Sequence, residues 1–195
     1  MLVKTSMGVL ATMLVSTVPG ITSKTGIVEK IEGSSDVEES IRKSWKCAGC
    51  TPAEEYTLSY LQDRTLIKDK NALATILGNI KQESMFLSDI CEGGARVPYN
   101  KCYRGGFGLV QWTTAQRYKG LGSFCNKYDC DPSSLEGQVR YMVNENQFQS
   151  NLPYFEGAGQ SVKYYMNAAY RWLGWGIHGN RTHYTYQYLA KFQYS

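Results

Sequence analysis

The sequence predicts a mainly helical α+β fold, in which a helical core carries a small irregular β and loop insert that forms a cleft wall. Three observations predict it. Apolar residues recur at helical spacing in several separate segments. Glycines and turn residues replace that spacing between Cys91 and Trp112. Helical spacing then returns to the end of the chain, and strands never alternate with helices in the pattern of a parallel sheet.

The elements follow in order. Residues 1–20, "MLVKTSMGVLATMLVSTVPG", set a lysine before an apolar run from Met7 to Val18, the layout of a signal peptide or N-terminal anchor. The run is too short for a stable membrane span, which needs about 20 apolar residues. Residues 21–50 mix Ser, Gly, Lys and Glu and read as a polar linker, so the folded domain is expected over residues 51–195. Thr51, Pro52 and Glu54 form a capping box that starts a helix to about Arg64. A second helix runs from Asp69 or Asn71 to Ser84. Thr113 with Gln116 opens a helix toward Tyr128, and Asp131 with Pro132 opens one whose Leu135, Val139, Met142 and Val143 share a face. The last two helices are expected over about Ser161 to Leu173 and about Asn180 to Phe192.

The formal charge of +4 is too small to argue for nucleic acid, and no Lys/Arg run stands out. It suits an anionic polymer. The 15 tyrosines and 4 tryptophans supply flat rings with polar tips, useful in a core and equally against sugar rings. Six cysteines suit an oxidising destination, and the nearest-neighbour pairing is Cys47 with Cys50, Cys91 with Cys102, and Cys125 with Cys130. A zinc reading would combine "CAGC" with His178 and His183, but the gap between them is far longer than in a zinc finger. No cofactor or metal is expected.

In the second helix, Leu73, Ile76, Leu77 and Ile80 form one apolar stripe, and the stripe then arrives at Glu83. A carboxyl group on a core-facing position is costly to ionise, so its pKa rises and it becomes suited to general acid work. The plainer alternative is a boundary residue or half of an ion pair. Downstream, the Gly-rich segment ends in Gly108, Gln111 and Trp112. Glycine admits close backbone approach, the amide offers donor and acceptor, and the indole offers a stacking face for an N-acetyl sugar.

"QES" at residues 82–84 followed by "GGFGLVQW" at residues 105–112 resembles the lysozyme-like superfamily, above all the tail-associated lysozymes of bacteriophages. Behind them stand the goose-type lysozymes and soluble lytic transglycosylases. The resemblance spans roughly residues 51–195 and implies a lysozyme-like fold. It implies that Glu83 is the general acid and that Ser84, Gly108 and Gln111 line the sugar cleft. "NAAYRW" offers Tyr170 in the place of a tyrosine that faces the catalytic glutamate, with Arg171 where those families have asparagine. Arg181 matches an arginine of the last helix. The implied activity is cleavage of the β-1,4 bond between N-acetylmuramic acid and N-acetylglucosamine in peptidoglycan. Asp89 and Glu92 are candidates for a second carboxylate, and Glu145 lies on another helix. Goose-type relatives work without an obvious one, so the product is either a hydrolysed end or an anhydro sugar.

The implied setting is secreted, periplasmic or virion-associated, with bacterial peptidoglycan as substrate and other tail or baseplate proteins as candidate partners. Two rivals belong to other classes. A Cys/His cell-wall peptidase would need a free thiol. A non-catalytic glycan-binding or structural virion module would keep the fold without the reaction.

Overall fold

The computed structural model describes residues 43–103 and 105–195. The leader expected at residues 1–20 and most of the expected linker lie outside the described residues. Among the described residues there are seven α-helices and one two-stranded sheet. They are β1 (Trp45–Cys47), α1 (Pro52–Arg64), α2 (Lys70–Ser84), α3 (Ala115–Tyr128), α4 (Leu135–Asn144), α5 (Asn146–Phe155), α6 (Val162–Leu173), α7 (Arg181–Lys191) and β2 (Phe192–Tyr194). No described helix is long and apolar enough to cross a membrane.

Local chemistry sets the helix starts. Thr51 and Glu54 form the expected capping box of α1. Asp69 caps α2 by accepting from Asn71 N at 2.7 Å and Ala72 N at 3.2 Å. The α3 cap is Thr114, one residue later than expected, because Thr113 donates its hydroxyl to Gln111 O. The α4 start is later too. Asp131 to Ser134 close a turn, and Ser134 then caps the helix through Gly137 N.

Helix α2 is the spine. Leu73, Ile76, Leu77 and Ile80 are fully buried, each stabilising the fold by about 1.5–3 kcal/mol relative to exposure. It packs lengthwise on α7, closest where Gly78 meets Thr185. A Cβ added at Gly78 would lie 2.6 Å from Thr185 N, so only glycine admits this approach.

Three features depart from the sequence expectation. The segment read as a linker carries β1, which pairs antiparallel with β2, Trp45 opposite Tyr194 and Cys47 opposite Phe192. Phe192 therefore begins a strand where a helix end was expected. Helix α5 was not anticipated, because Pro153 interrupts its pattern, yet Phe148 and Phe155 stack at 5.9 Å and both meet Trp172 of α6. Among the described residues between Ile90 and Trp112 the small sheet reduces to two isolated bridges, Ile90 with Arg96 and Cys91 with Phe107, plus a 3-10 turn at Tyr99–Lys101.

Candidate active site

Glu83 lies in the last turn of α2, and Arg181 in the first turn of α7. The α2–α7 packing brings them together, and Arg181 Nη2 donates to Glu83 Oε1. The Glu83 side chain keeps 17% exposure, that of Arg181 only 5%. Arg181 is held on other sides as well. Its Nη1 donates to Ile177 O at 2.9 Å and to His178 O at 2.8 Å, and its guanidinium lies over the Trp175 ring at 4.4 Å. Among the described residues its Nε is buried without a hydrogen-bond partner. Burial pushes the Glu83 carboxyl above its ordinary value, against the downward pull of Arg181, by charge and hydrogen bond, and of the Arg117 charge.

The wall is pinned directly to this helix end. Ser84 is buried, donating its hydroxyl to Leu109 O at 2.7 Å and accepting from Phe86 N at 3.1 Å. Gly108 has φ +69°, and a Cβ there would strike the Gln138 amide at 2.4 Å. Gln138, fully buried on α4, accepts from Leu109 N at 2.7 Å and donates to Ser88 O and Pro132 O. Ser84 and Gly108 thus shape the wall from within, where substrate contact was expected of them. Gln111 is half-buried with φ 50°, and its Nε2 donates to Gly108 O at 3.0 Å. Trp112 corrects the expectation of a stacking platform. It is fully buried, and its indole N–H donates to Glu145 at 3.1 Å.

The other carboxylates are committed elsewhere. Asp89 pairs with Arg96, whose Nε donates to it at 2.6 Å. Glu92 is exposed and accepts from Gly106 N at 2.9 Å, closing the insert. Glu145 is buried and accepts from Trp112, from Trp172 at 3.0 Å, and from Arg117 at 2.9 and 2.6 Å. This node ties the wall to α3 and α6. Sequence reasoning found Glu145 only as a carboxylate and missed Arg117, Gln138 and Trp175. A buried amide on the Leu135–Val139–Met142 face was the one available signal for Gln138.

Tyr170 is 53% exposed and opens on a cavity of about 400 Å³ between α6 and α7. Met166, Trp175, His178, Thr182 and Tyr186 also line it. The Tyr170 ring meets Trp175 edge-on at 5.3 Å, so Trp175 joins the cavity to the Arg181–Glu83 pair. Arg171 turns away, over the Tyr154 ring at 4.3 Å. The three cysteine pairs stand at disulfide distance, with Cα separations of 5.5, 5.6 and 4.5 Å for Cys47–Cys50, Cys91–Cys102 and Cys125–Cys130. Among the described residues no group of His, Cys, Asp and Glu is placed to hold a metal ion.

A family model described as phage tail lysozyme matches residues 54–176. No curated protein and no solved structure matches the chain. The matched residues include Glu83, the wall, Glu145 and Tyr170, whereas Arg181 lies beyond them.

Proposed function

The chain belongs to the phage tail lysozyme family, and from that premise we propose that it cleaves the β-1,4 bond between N-acetylmuramic acid and N-acetylglucosamine in bacterial peptidoglycan. Glu83 is the proton donor to the glycosidic oxygen. The observation that carries this reading is a carboxyl group at the end of the core helix, kept above its ordinary pKa by burial and still partly open to solvent. Once Glu83 gives up its proton, Arg181 stabilises the carboxylate that remains.

The remaining carboxylates support a reaction with no second acidic residue. Asp89 and Glu92 hold the insert, and Glu145 spends its oxygens on four donors. A nucleophile then comes from water or from the substrate, whose acetamido group or C6 hydroxyl stands near the anomeric carbon. Gln111 contacts the glycan at the rim of the wall, and Tyr170, Trp175 and Tyr186 offer rings to sugars in the neighbouring cavity. Acting at the tail of a virion, the enzyme would open the wall locally beside other tail or baseplate proteins.

Digestion of purified peptidoglycan followed by mass spectrometry tests the reading. Glu83→Gln keeps an acceptor for Arg181 and cannot donate the proton, so glycan cleavage is expected to fall about 100- to 10,000-fold. A folded Glu83→Gln protein with wild-type turnover would remove Glu83 from the reaction. The masses released by the wild-type chain separate a hydrolysed end from an anhydro end.

A further inference from the structure

Away from Glu83, two cavities of about 420 and 640 Å³ share Phe124, Tyr128 and Asn144. Adjoining at these three residues, they lie along α3 and α4 as a groove whose far end reaches α1. Its near end is lined by Arg117 and Glu145. Arg117 lies close enough to Glu83 for its charge to act on that carboxyl. Its far end holds Tyr56 and Tyr60, whose rings lie 6.0 Å apart.

The lining is not that of a protein-binding hydrophobic patch. Tyrosines and Phe124 lie among cations, amides and the carboxylates of Glu136 and Glu145, and no Leu, Ile, Val or Met contributes. The cations sit on the rings: the Arg64 guanidinium lies 5.7 Å from the Tyr60 centroid and the Lys127 ammonium 4.9 Å from that of Tyr128. Among the described residues neither joins an ion pair with a carboxylate, whereas Arg140 pairs loosely with exposed Glu136 at 3.4 Å and Arg117 is taken up by Glu145. The groove therefore offers stacking faces flanked by two unneutralised positive charges.

We propose that this groove is a second glycan-binding site, which holds a peptidoglycan strand distant from the scissile bond. The tyrosines stack on its sugar rings, and Arg64 and Lys127 pair with the free carboxylates of its stem peptides. The inference rests on the proposed peptidoglycan reading. Arg117, at one end of the groove, lies near enough to Glu83 to act on its charge, which favours the enzyme's own substrate over a single-stranded nucleic acid, the other polymer for which rings and cations would serve.

The test is a cosedimentation measurement with purified sacculi, in a Glu83→Gln background so that the polymer is not cut. Tyr128→Ala and the double variant Arg64→Gln/Lys127→Gln are each expected to weaken sacculus binding about tenfold, with melting temperatures near the parent. The double variant keeps every ring, so it probes charge alone. Amidating the carboxylates of the sacculi with a carbodiimide and a neutral amine should erase its defect and leave that of Tyr128→Ala. Unchanged binding in both variants overturns the proposal. So does displacement of the protein by a single-stranded oligonucleotide at lower concentration than soluble muropeptide. Cleavage of short soluble glycans by the unsubstituted chain is assayed separately, and its absence would count against the proposed reaction rather than the groove.

Discussion

Two glutamate–arginine pairs adjoin the same wall, and they are built differently. Glu145 is enclosed, receiving two indole N–H groups and two guanidinium N–H groups. Glu83 keeps some exposure and receives one guanidinium, on one oxygen. A carboxylate saturated with donors ties elements together and has no lone pair left for chemistry. One that burial holds above its ordinary pKa, with a single partner and a side still open to solvent, is suited to give up a proton. Glutamate in a core-facing position is thus an ambiguous signal, and the number of donors around it resolves the ambiguity.

The contrast is sharpest when each acid is altered in turn. Glu83→Gln should cost activity, as set out above, and leave the fold. Glu145→Ala should do the reverse, costing about 3–5 kcal/mol of stability by leaving the Arg117 charge and two indole N–H groups buried without a partner. Denaturant unfolding checks it, and a loss under 1 kcal/mol would mean that the node is ornamental.

At Gly78, alanine should cost about 1–3 kcal/mol by forcing α2 from α7, moving Glu83 relative to Arg181. Activity should therefore fall together with melting temperature. A stable Gly78→Ala protein with full turnover would show that the pair tolerates a shift.

The pairing itself can be read by pH. A reaction that needs protonated Glu83 runs below its pKa and is lost as pH rises through it. Burial raises that pKa and Arg181 pulls it back. Arg181→Met should let it rise further, so the alkaline limb of the rate profile should move to higher pH. A limb that stays put or moves toward acid would show that Arg181 does not govern the charge on Glu83.

The smallest effect is expected at Tyr170. With its ring half exposed, Tyr170→Phe should change stability by less than about 1 kcal/mol, since a wet hydroxyl exchanges one partner for water. Slower cleavage in that variant would tie the cavity to the glycan; unchanged cleavage would detach Tyr170 from the site.

The sequence by itself determined the mainly helical fold, because helical periodicity and local caps act over a few residues. The α2 stripe, the Thr51 capping box and the insert between Cys91 and Trp112 were all legible for that reason. It also placed Glu83 at a helix end on the core face. Only the tertiary structure decided what each polar group meets there. Arg181 stands 98 positions from Glu83, and Trp112 finds its acceptor 33 residues away. Arg181 comes from α7 and Glu145 from the junction of α4 and α5, and no local pattern records how these pack. The pairing of β1 with β2 closes the described chain end to end, invisible until Trp45 lay beside Tyr194. Periodicity tells which side of a helix faces inward; burial, charge pairing and donor count are properties of the neighbours that arrive there.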